Sequence, residues 1–366
     1  MVSQMRILFI LKKRDSPYSQ ERTTGKDYSY NSFSSGLYNS VRFIVDMLFT
    51  LNIDVKMVEV PDNNSINKEV ITFKPTHVII EALWVVPEKF DILKKIHPTV
   101  KWHVRLHSEM TFIANEGVAM GWILQYAKRG IKILANSKRM CDNLNLLFKA
   151  TNINQYVEYT PNYYKVDGIL NKPMMAYNAL NIASFGAIRS LKNQLIQAQA
   201  AIIFASRERK KLYFHINANR IENESNSVLK NIRDLFSNLD SWKFELVEHN
   251  WLDHKSFLEV VRKMDMGLQL SLSETFNIVT ADFVSQNVPV VVSDEIDWVS
   301  NYSKSDTMNL NEIVLKMANV YQNKKVVAKN IKGLEDYNNK SIKEWSKFCG
   351  IKGLSLFDKL FNKIIS

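Results

Sequence analysis

The sequence predicts an α/β protein made of two doubly wound parallel sheets, and three observations carry that expectation. Short apolar runs alternate with segments of helical period, a rhythm that sets parallel strands between covering helices. At 366 residues the chain is long enough for two cores. The alternation also lapses once, over about residues 164–180, where turn residues show neither period, and then restarts.

The elements follow in order. Residues 6–11 are a buried strand. Residues 14–35 form a polar stretch whose length is unusual for a loop without a function. Its Tyr18, Tyr28, Tyr30 and Phe33 could stack on bases or sugars, or simply pack locally. Ser34-Ser35-Gly36 opens a helix with Val41, Ile44, Val45, Leu48 and Leu51 at helical spacing. Further strands are expected at 55–60, 77–81, 102–106 and 131–135, and after the lapse at 181–185, 212–216 and 244–248. Helices are expected at 194–205 and 256–264. Residues 268–272 are short and apolar, as a buried parallel strand should be. Ser273-Glu274-Thr275 breaks that run, a helix covers 278–285, Asn287-Val288-Pro289 ends it, and 290–292 returns to the sheet. From residue 309 the chain is helical and basic.

Composition narrows the function. The net charge of +11 points to an anionic partner: a nucleotide-sugar, nucleic acid or a membrane surface. The bland alternative is a solvated basic surface, with small clusters at Lys12-Lys13-Arg14, at 207–211 and beyond Lys324. Cys141 and Cys349 are the two cysteines, which suits a reducing cytoplasm and offers no zinc spacing. No apolar run is long enough to cross a bilayer, and no signal-peptide pattern opens the chain, so a cytoplasmic protein is expected. Neither a nucleophile elbow nor a G-x-x-x-x-G-K-S/T loop occurs, which leaves hydrolase and P-loop readings without support.

The chemistry gathers at strand ends. A carboxylate at the C-terminal edge of a parallel sheet, followed by a helix N-terminus, suits a sugar-phosphate: amides take the phosphate and the acid takes sugar hydroxyls. Glu274 stands so, although a lone Glu there could equally cap the helix. Arg189 and Lys192 follow the strand at 181–185, where two cations can face two phosphates or remain surface charges. His107 ends the strand at 102–106, on the side a cleft would occupy, whereas His103 does not. Asp282 reads as a mid-helix acid and Gly36 as a backbone turn.

Glu274 and Asp282 are separated by seven residues, and this resembles the E-x7-E signature of retaining GT-B glycosyltransferases, especially family 4. That family reads S-x-x-E-x-F-G, then E-A, then G-x-P-V-V. Ser271, Glu274, Phe276, Pro289, Val290 and Val291 fall in register. Asp282 replaces the second Glu, and Asn277 and Asn287 replace two glycines. Asparagine tolerates left-handed backbone, so those two changes are mild. Gly36 stands where the family carries two glycines. Val104 to Glu109 resembles its strand ending in histidine, Ala135-Asn136-Ser137 its strand-then-serine element, and Glu158 to Asn162 its I-P-N turn. Gly186 to Asn193 resembles the G-x-x-x-x-K-G/N element, whose Arg and Lys grip the donor diphosphate, and His249-Asn250-Trp251 the loop beside the nucleobase.

The resemblance implies two facing Rossmann-like domains: 1–165 on the acceptor side and 180–340 for the nucleotide-sugar, with 341–366 a helix packing back on the first. It implies hexosyl or pentosyl transfer with retention, from a UDP-sugar by expectation, without a required metal. His107, Glu274, Arg189 and Lys192 would serve the reaction. Gly36, Gly186, Arg189, Lys192, His249, Glu274, Thr275, Phe276, Asn277, Ile278 and Asp282 would hold the donor, and Glu109 could face the acceptor. The departing diphosphate would help take the acceptor proton, with Arg189, Lys192 and the dipole of the helix after Phe276 stabilising its charge. For the acceptor, the charge admits a modified base in double-stranded DNA, as in phage enzymes, which would place the chain in a host cytoplasm. The rival is a cell-envelope glycan or lipid-linked saccharide, reached by peripheral contact with anionic lipid. A nucleotide-sugar epimerase on the same fold, or a non-catalytic GT-B-like binding module, are the other readings.

Overall fold

The computed structural model describes residues 5–13, 36–166, 178–222 and 225–351. The aromatic stretch 14–35, most of the expected boundary (167–177) and residues 352–366 of the expected C-terminal helix lie outside the described residues.

The first sheet is built from β1 (Arg6–Lys12), β2 (Asp54–Val60), β3 (His77–Glu81), β4 (Lys101–Leu106), β5 (Lys132–Ala135) and β6 (Glu158–Tyr159). Its order is β2-β1-β3-β4-β5-β6, every pair parallel. Its helices are α1 (Gly36–Thr50), α2 (Ile66–Phe73), α3 (Lys89–Ile96), α4 (Met110–Ile113), α5 (Ala119–Lys128) and α6 (Lys138–Ala150). The second sheet joins β7 (Ala179–Ser184), β8 (Lys211–Asn217), β9 (Phe244–His249), β10 (Met266–Gln269) and β11 (Val290–Val292) in the order β11-β10-β7-β8-β9, again parallel. With it go α7 (Gln194–Glu208), α8 (Asn226–Ser237), α9 (His254–Val261), α10 (Ile278–Ser285) and α11 (Leu310–Val320). The final helix, α12 (Lys324–Phe348), serves both halves.

Strand composition explains the layers. All five residues of β3 and all three of β11 are buried, as strands covered on both faces must be. Strand order reverses between β1 and β3 in one sheet and between β7 and β10 in the other. A crevice opens outside the carboxyl ends of the strands at such reversals. Glu81 ends β3, Gly186 follows β7, and Ser271 to Asn277 follow β10, so both reversals carry polar residues into the cleft.

Most boundaries shift by one to three residues from expectation, the helix expected at 256–264 being His254–Val261, and two differences have a packing cause. β10 runs from Met266 to Gln269 rather than over 268–272, because its partner β11 has three residues and pairs only Gly267 to Gln269. Past that ladder, the Leu272 amide turns to the Leu191 carbonyl at 2.8 Å. Gly267 is needed there: an added Cβ would lie 2.5 Å from the Phe283 ring of α10. The last helix starts at Lys324, well before 341. Gly333 lets it lie against the Trp298 carbonyl, which a Cβ would meet at 2.3 Å. Its far end reaches the first sheet, where fully buried Trp345 packs with Ile7, Phe9 and Leu134 and donates to the Pro161 carbonyl at 2.8 Å.

Candidate functional site

The loop after β7 is shaped by residues that accept unusual backbone. Gly186 has φ +113° and its amide donates to Asn217 Oδ1 at 2.9 Å. A single 3₁₀ turn, Ser190–Lys192, ends at Asn193 with φ 57°, and the Asn193 side chain ties this turn to the carbonyls of Leu270 and Thr307. The turn thereby carries Lys192 beside the loop after β10, where its ammonium pairs with Glu274 Oε1. Both side chains are 11% exposed. Burial draws Lys192 below the usual lysine range, against the opposing pull of the Glu274 carboxylate. Arg189 lies alongside, 3.5 Å from Glu222 Oε2, with its guanidinium 5.2 Å from the Phe112 ring centroid on the first-sheet side.

Asn277 closes the loop and begins α10. It has φ 56°, and its Oδ1 accepts from the Thr280 amide at 2.9 Å while its Nδ2 donates to Gln269 Oε1. Asn287, the other asparagine in place of glycine, has φ 59°. Left-handed backbone, the property glycine usually supplies, is thus present at both positions. Phe276 is core, stacked on Tyr337 at 4.8 Å, with its carbonyl taking the Trp298 indole at 2.7 Å.

Across from Glu274 stand His107, Ser108 and Glu109 at the end of β4; with Arg189, Lys192 and Thr275 they line a cleft of about 400 Å³. His107 Nε2 bonds to Glu81 Oε2, and the same oxygen takes Arg105 Nη1 at 3.3 Å. Glu81 and Arg105 are fully buried. Burial raises the Glu81 carboxyl, but Arg105 and His107 outweigh it and hold the group below the usual carboxylate range. His107 is pushed down by burial first and Arg105 second, so it is neutral near pH 7.

The seam between the halves is made by the same loops. Asn136 Nδ2 donates to Thr275 Oγ1 at 3.0 Å, Thr275 Oγ1 donates to the His107 carbonyl at 3.3 Å, and Thr111 donates to Ser273. Arg139 joins Glu109 at 3.3 Å to Glu295 at 2.6 Å. A cation from the first half thus pairs with the second at Glu295, and its Nη2 also lies 3.5 Å from the Glu274 carbonyl.

The sequence-predicted residues divide into groups. Glu274, Lys192, Arg189, His107, Glu109 and Thr275 share one cleft. Gly36, Gly186, Ile278 and Asp282 line a second, mostly apolar cleft of about 460 Å³ that includes Trp251. Gly36 begins α1, and a Cβ there would lie 3.3 Å from Ile278. Asp282 is buried, accepting from the Tyr164 hydroxyl at 2.7 Å and from His254 Nε2 at 2.8 Å. His249 is not among the residues lining these two clefts; its Nε2 lies 2.8 Å from His215 Nδ1. Sequence reasoning did not single out Glu81, Arg105, Arg139, Tyr164 or His254. The one local signal was an acid and an arginine embedded in otherwise apolar strand segments. Among the described residues, no group of three or more His, Cys, Asp or Glu is placed to hold a metal, and no helix is long and apolar enough to cross a membrane.

No protein-family description matches the chain, and no curated protein matches it in sequence. Solved structures do match in shape. The N-terminal domain of a trehalose-6-phosphate phosphatase from Candida albicans superposes with a TM-score of 0.64 at 11% identity, over 94% of this chain and 96% of that one. Sucrose-phosphate synthase from Thermosynechococcus elongatus gives 0.62 at 10%, over 98% and 100%. A UDP-forming α,α-trehalose-phosphate synthase from Burkholderia xenovorans gives 0.59 at 9%, over 94% and 98%. At such identities the likeness shows the fold: the chain has the GT-B arrangement of two Rossmann-like domains.

Proposed function

We propose that the chain is a retaining glycosyltransferase that moves a sugar from a nucleotide-sugar, by expectation a UDP-sugar, to an acceptor hydroxyl. The observation carrying this reading is the buried Lys192–Glu274 pair beside Arg189, facing His107 across a cleft where the carboxyl ends of two parallel sheets meet. Glu274 would accept from sugar hydroxyls. Lys192 and Arg189 would take the diphosphate and stabilise the charge it gains on leaving. The N-terminus of α10 adds its dipole to theirs. The leaving diphosphate oxygen would receive the acceptor proton, so the two cations serve the acid–base step as well. In this reading residues 1–165 face the acceptor, 180–340 hold the donor, and the C-terminal helix ties the two. The structural neighbours lend support, since one is a UDP-forming synthase and another a sucrose-phosphate synthase.

The second cleft, with Trp251, Gly186 and Ile278, suits the nucleoside, its apolar lining taking a base and ribose. Asp282 lines this cleft too, and since Tyr164 and His254 both bond to Oδ1, its other carboxylate oxygen would be the one to accept from the ribose. The net charge of +11 favours an anionic acceptor. Duplex DNA carrying hydroxymethylated bases is the first to try: binding that weakens steeply with salt supports it, and absent or salt-independent binding removes it.

A screen of UDP-, GDP-, ADP- and dTDP-sugars tests the enzyme reading. One donor should raise the melting temperature and be slowly hydrolysed, with the anomeric centre retained on transfer and turnover unaffected by chelator. Stabilisation without turnover, with any acceptor, would leave a binding module; no stabilisation by any of them sinks the donor assignment.

A further inference from the structure

His107 faces the cleft, but the group that governs it lies behind, on the neighbouring strand. Glu81 ends β3 and Arg105 sits in β4, paired directly across the ladder. Arg105 is held from its other side: Nε and Nη2 donate to the Thr160 carbonyl at 3.0 and 2.8 Å, and Nη2 donates to Asn162 Oδ1 at 2.7 Å. Its guanidinium also lies 5.5 Å from the Trp345 ring centroid of α12. The Glu81 carboxylate is thus paired with a cation anchored from its other side, and it holds His107 through the imidazole Nε2.

The protons follow from the partners. A carboxylate ionised beside Arg105 can only accept, so Nε2 carries the hydrogen. Arg105 Nη1 lies 3.4 Å from that same nitrogen, and both donors converge on Glu81 Oε2. Among the described residues Nδ1 has no hydrogen-bond partner, and the side chain retains 14% exposure. We propose that Glu81 is the positioning residue for His107, holding it as the Nε2–H tautomer so that Nδ1 presents a lone pair to the substrate. His107 then accepts a hydrogen bond from a sugar hydroxyl; it is not built to donate one. Among the described residues, the second carboxylate oxygen, Oε1, is buried without a partner, and Glu81 lines a cavity of about 640 Å³ together with His107, Lys12 and Trp84. A ligand hydroxyl or a water entering there would satisfy it.

The assignment of His107 to substrate rests on the proposed glycosyl transfer; the tautomer does not, and the two fail separately. Histidine ring nitrogens of ¹⁵N-labelled full-length protein are read by long-range proton–nitrogen correlation, with His107 assigned by its loss in His107→Asn. At pH 7.5 Nε2 should report as protonated and Nδ1 as bare. Glu81→Gln should give a mixture of tautomers, and Glu81→Asp should restore the wild-type pattern at least in part. Arg105 keeps its bonds to Thr160 and Asn162 in both variants, which favours folding. A protonated Nδ1 in the wild type overturns the proposal without any variant, as does a pattern unmoved by Glu81→Gln. With the best donor, kcat should fall roughly tenfold or more in Glu81→Gln while the donor KM stays nearly constant. The expected tautomer in a protein that transfers no sugar would refute the enzyme reading and leave Glu81's role intact.

Discussion

Replacing Glu274 by alanine removes the partner of a lysine that is 11% exposed. Breaking a buried pair by deleting one member costs about 3–5 kcal/mol, because the other charge stays behind unpaired. Here the loss should be smaller, about 2–3 kcal/mol, since both groups keep some water and Lys192 can shed its proton. For the whole 366-residue chain that corresponds to a fall of roughly 3–4 °C in the melting temperature. The diagnostic result is in the ligands. Without Glu274, Lys192 loses the carboxylate that pairs with it directly, so UDP alone should bind as well as before or tighter, as measured by titration calorimetry. A UDP-sugar loses its hydroxyl acceptor and should bind at least about tenfold more weakly, with hydrolysis down by about 10² or more. Glu274→Gln should fall between, keeping hydrogen bonds and losing charge. Parallel losses for UDP and the UDP-sugar would show that Glu274 merely supports the loop, and undiminished turnover would refute its role altogether.

Asn277→Ala should destabilise by about 2 kcal/mol in urea titrations, combining roughly 1 for the lost cap with roughly 1 for a left-handed alanine. Asn287→Gly, at φ 59°, should instead be neutral or stabilising by up to about 1 kcal/mol, and a large loss there would contradict the backbone argument. Stability should also fall as pH drops. Burial holds His77 at about 4, and His103 and His215 at about 3, all beneath an unfolded value near 6.5. Above that value neither state binds the extra protons; below it the unfolded chain binds them first, so stability declines from about pH 6.5 down towards pH 4–3. Each histidine contributes a slope of at most about 1.4 kcal/mol per pH unit. A flat urea midpoint between pH 7 and 5 would be incompatible with three neutral buried imidazoles.

Much of this molecule was legible in one dimension. The β3, α10 and β11 limits follow from local signals: a short apolar run, a polar break, a turn sequence before Pro289. The two left-handed asparagines were readable for the same reason, since backbone preference belongs to the residue itself. Glu274, Lys192, Arg189 and His107 stand out in sequence because strand ends in parallel sheets are where ligands sit, and the fold brings the four to one cleft. The end of β10 was misjudged because the length of its ladder is set by the three residues of β11 and not by its own apolar run.

What the tertiary structure alone decided is pairing. Glu81 and Arg105 stand 24 residues apart, and only the β3–β4 register turns an acid and an arginine into one buried ion pair behind His107. Arg139 meets Glu295 across 156 residues, and Asp282 meets Tyr164 across 118. The apolar residues around Asp282 hint that its helix is buried, but nothing near it names its two bonding partners. Period and turn chemistry are properties of residues a few positions apart, so the chain states them directly. A charge's partner and its access to water depend on which distant segments the sheets bring together, and that is known only once the chain has folded.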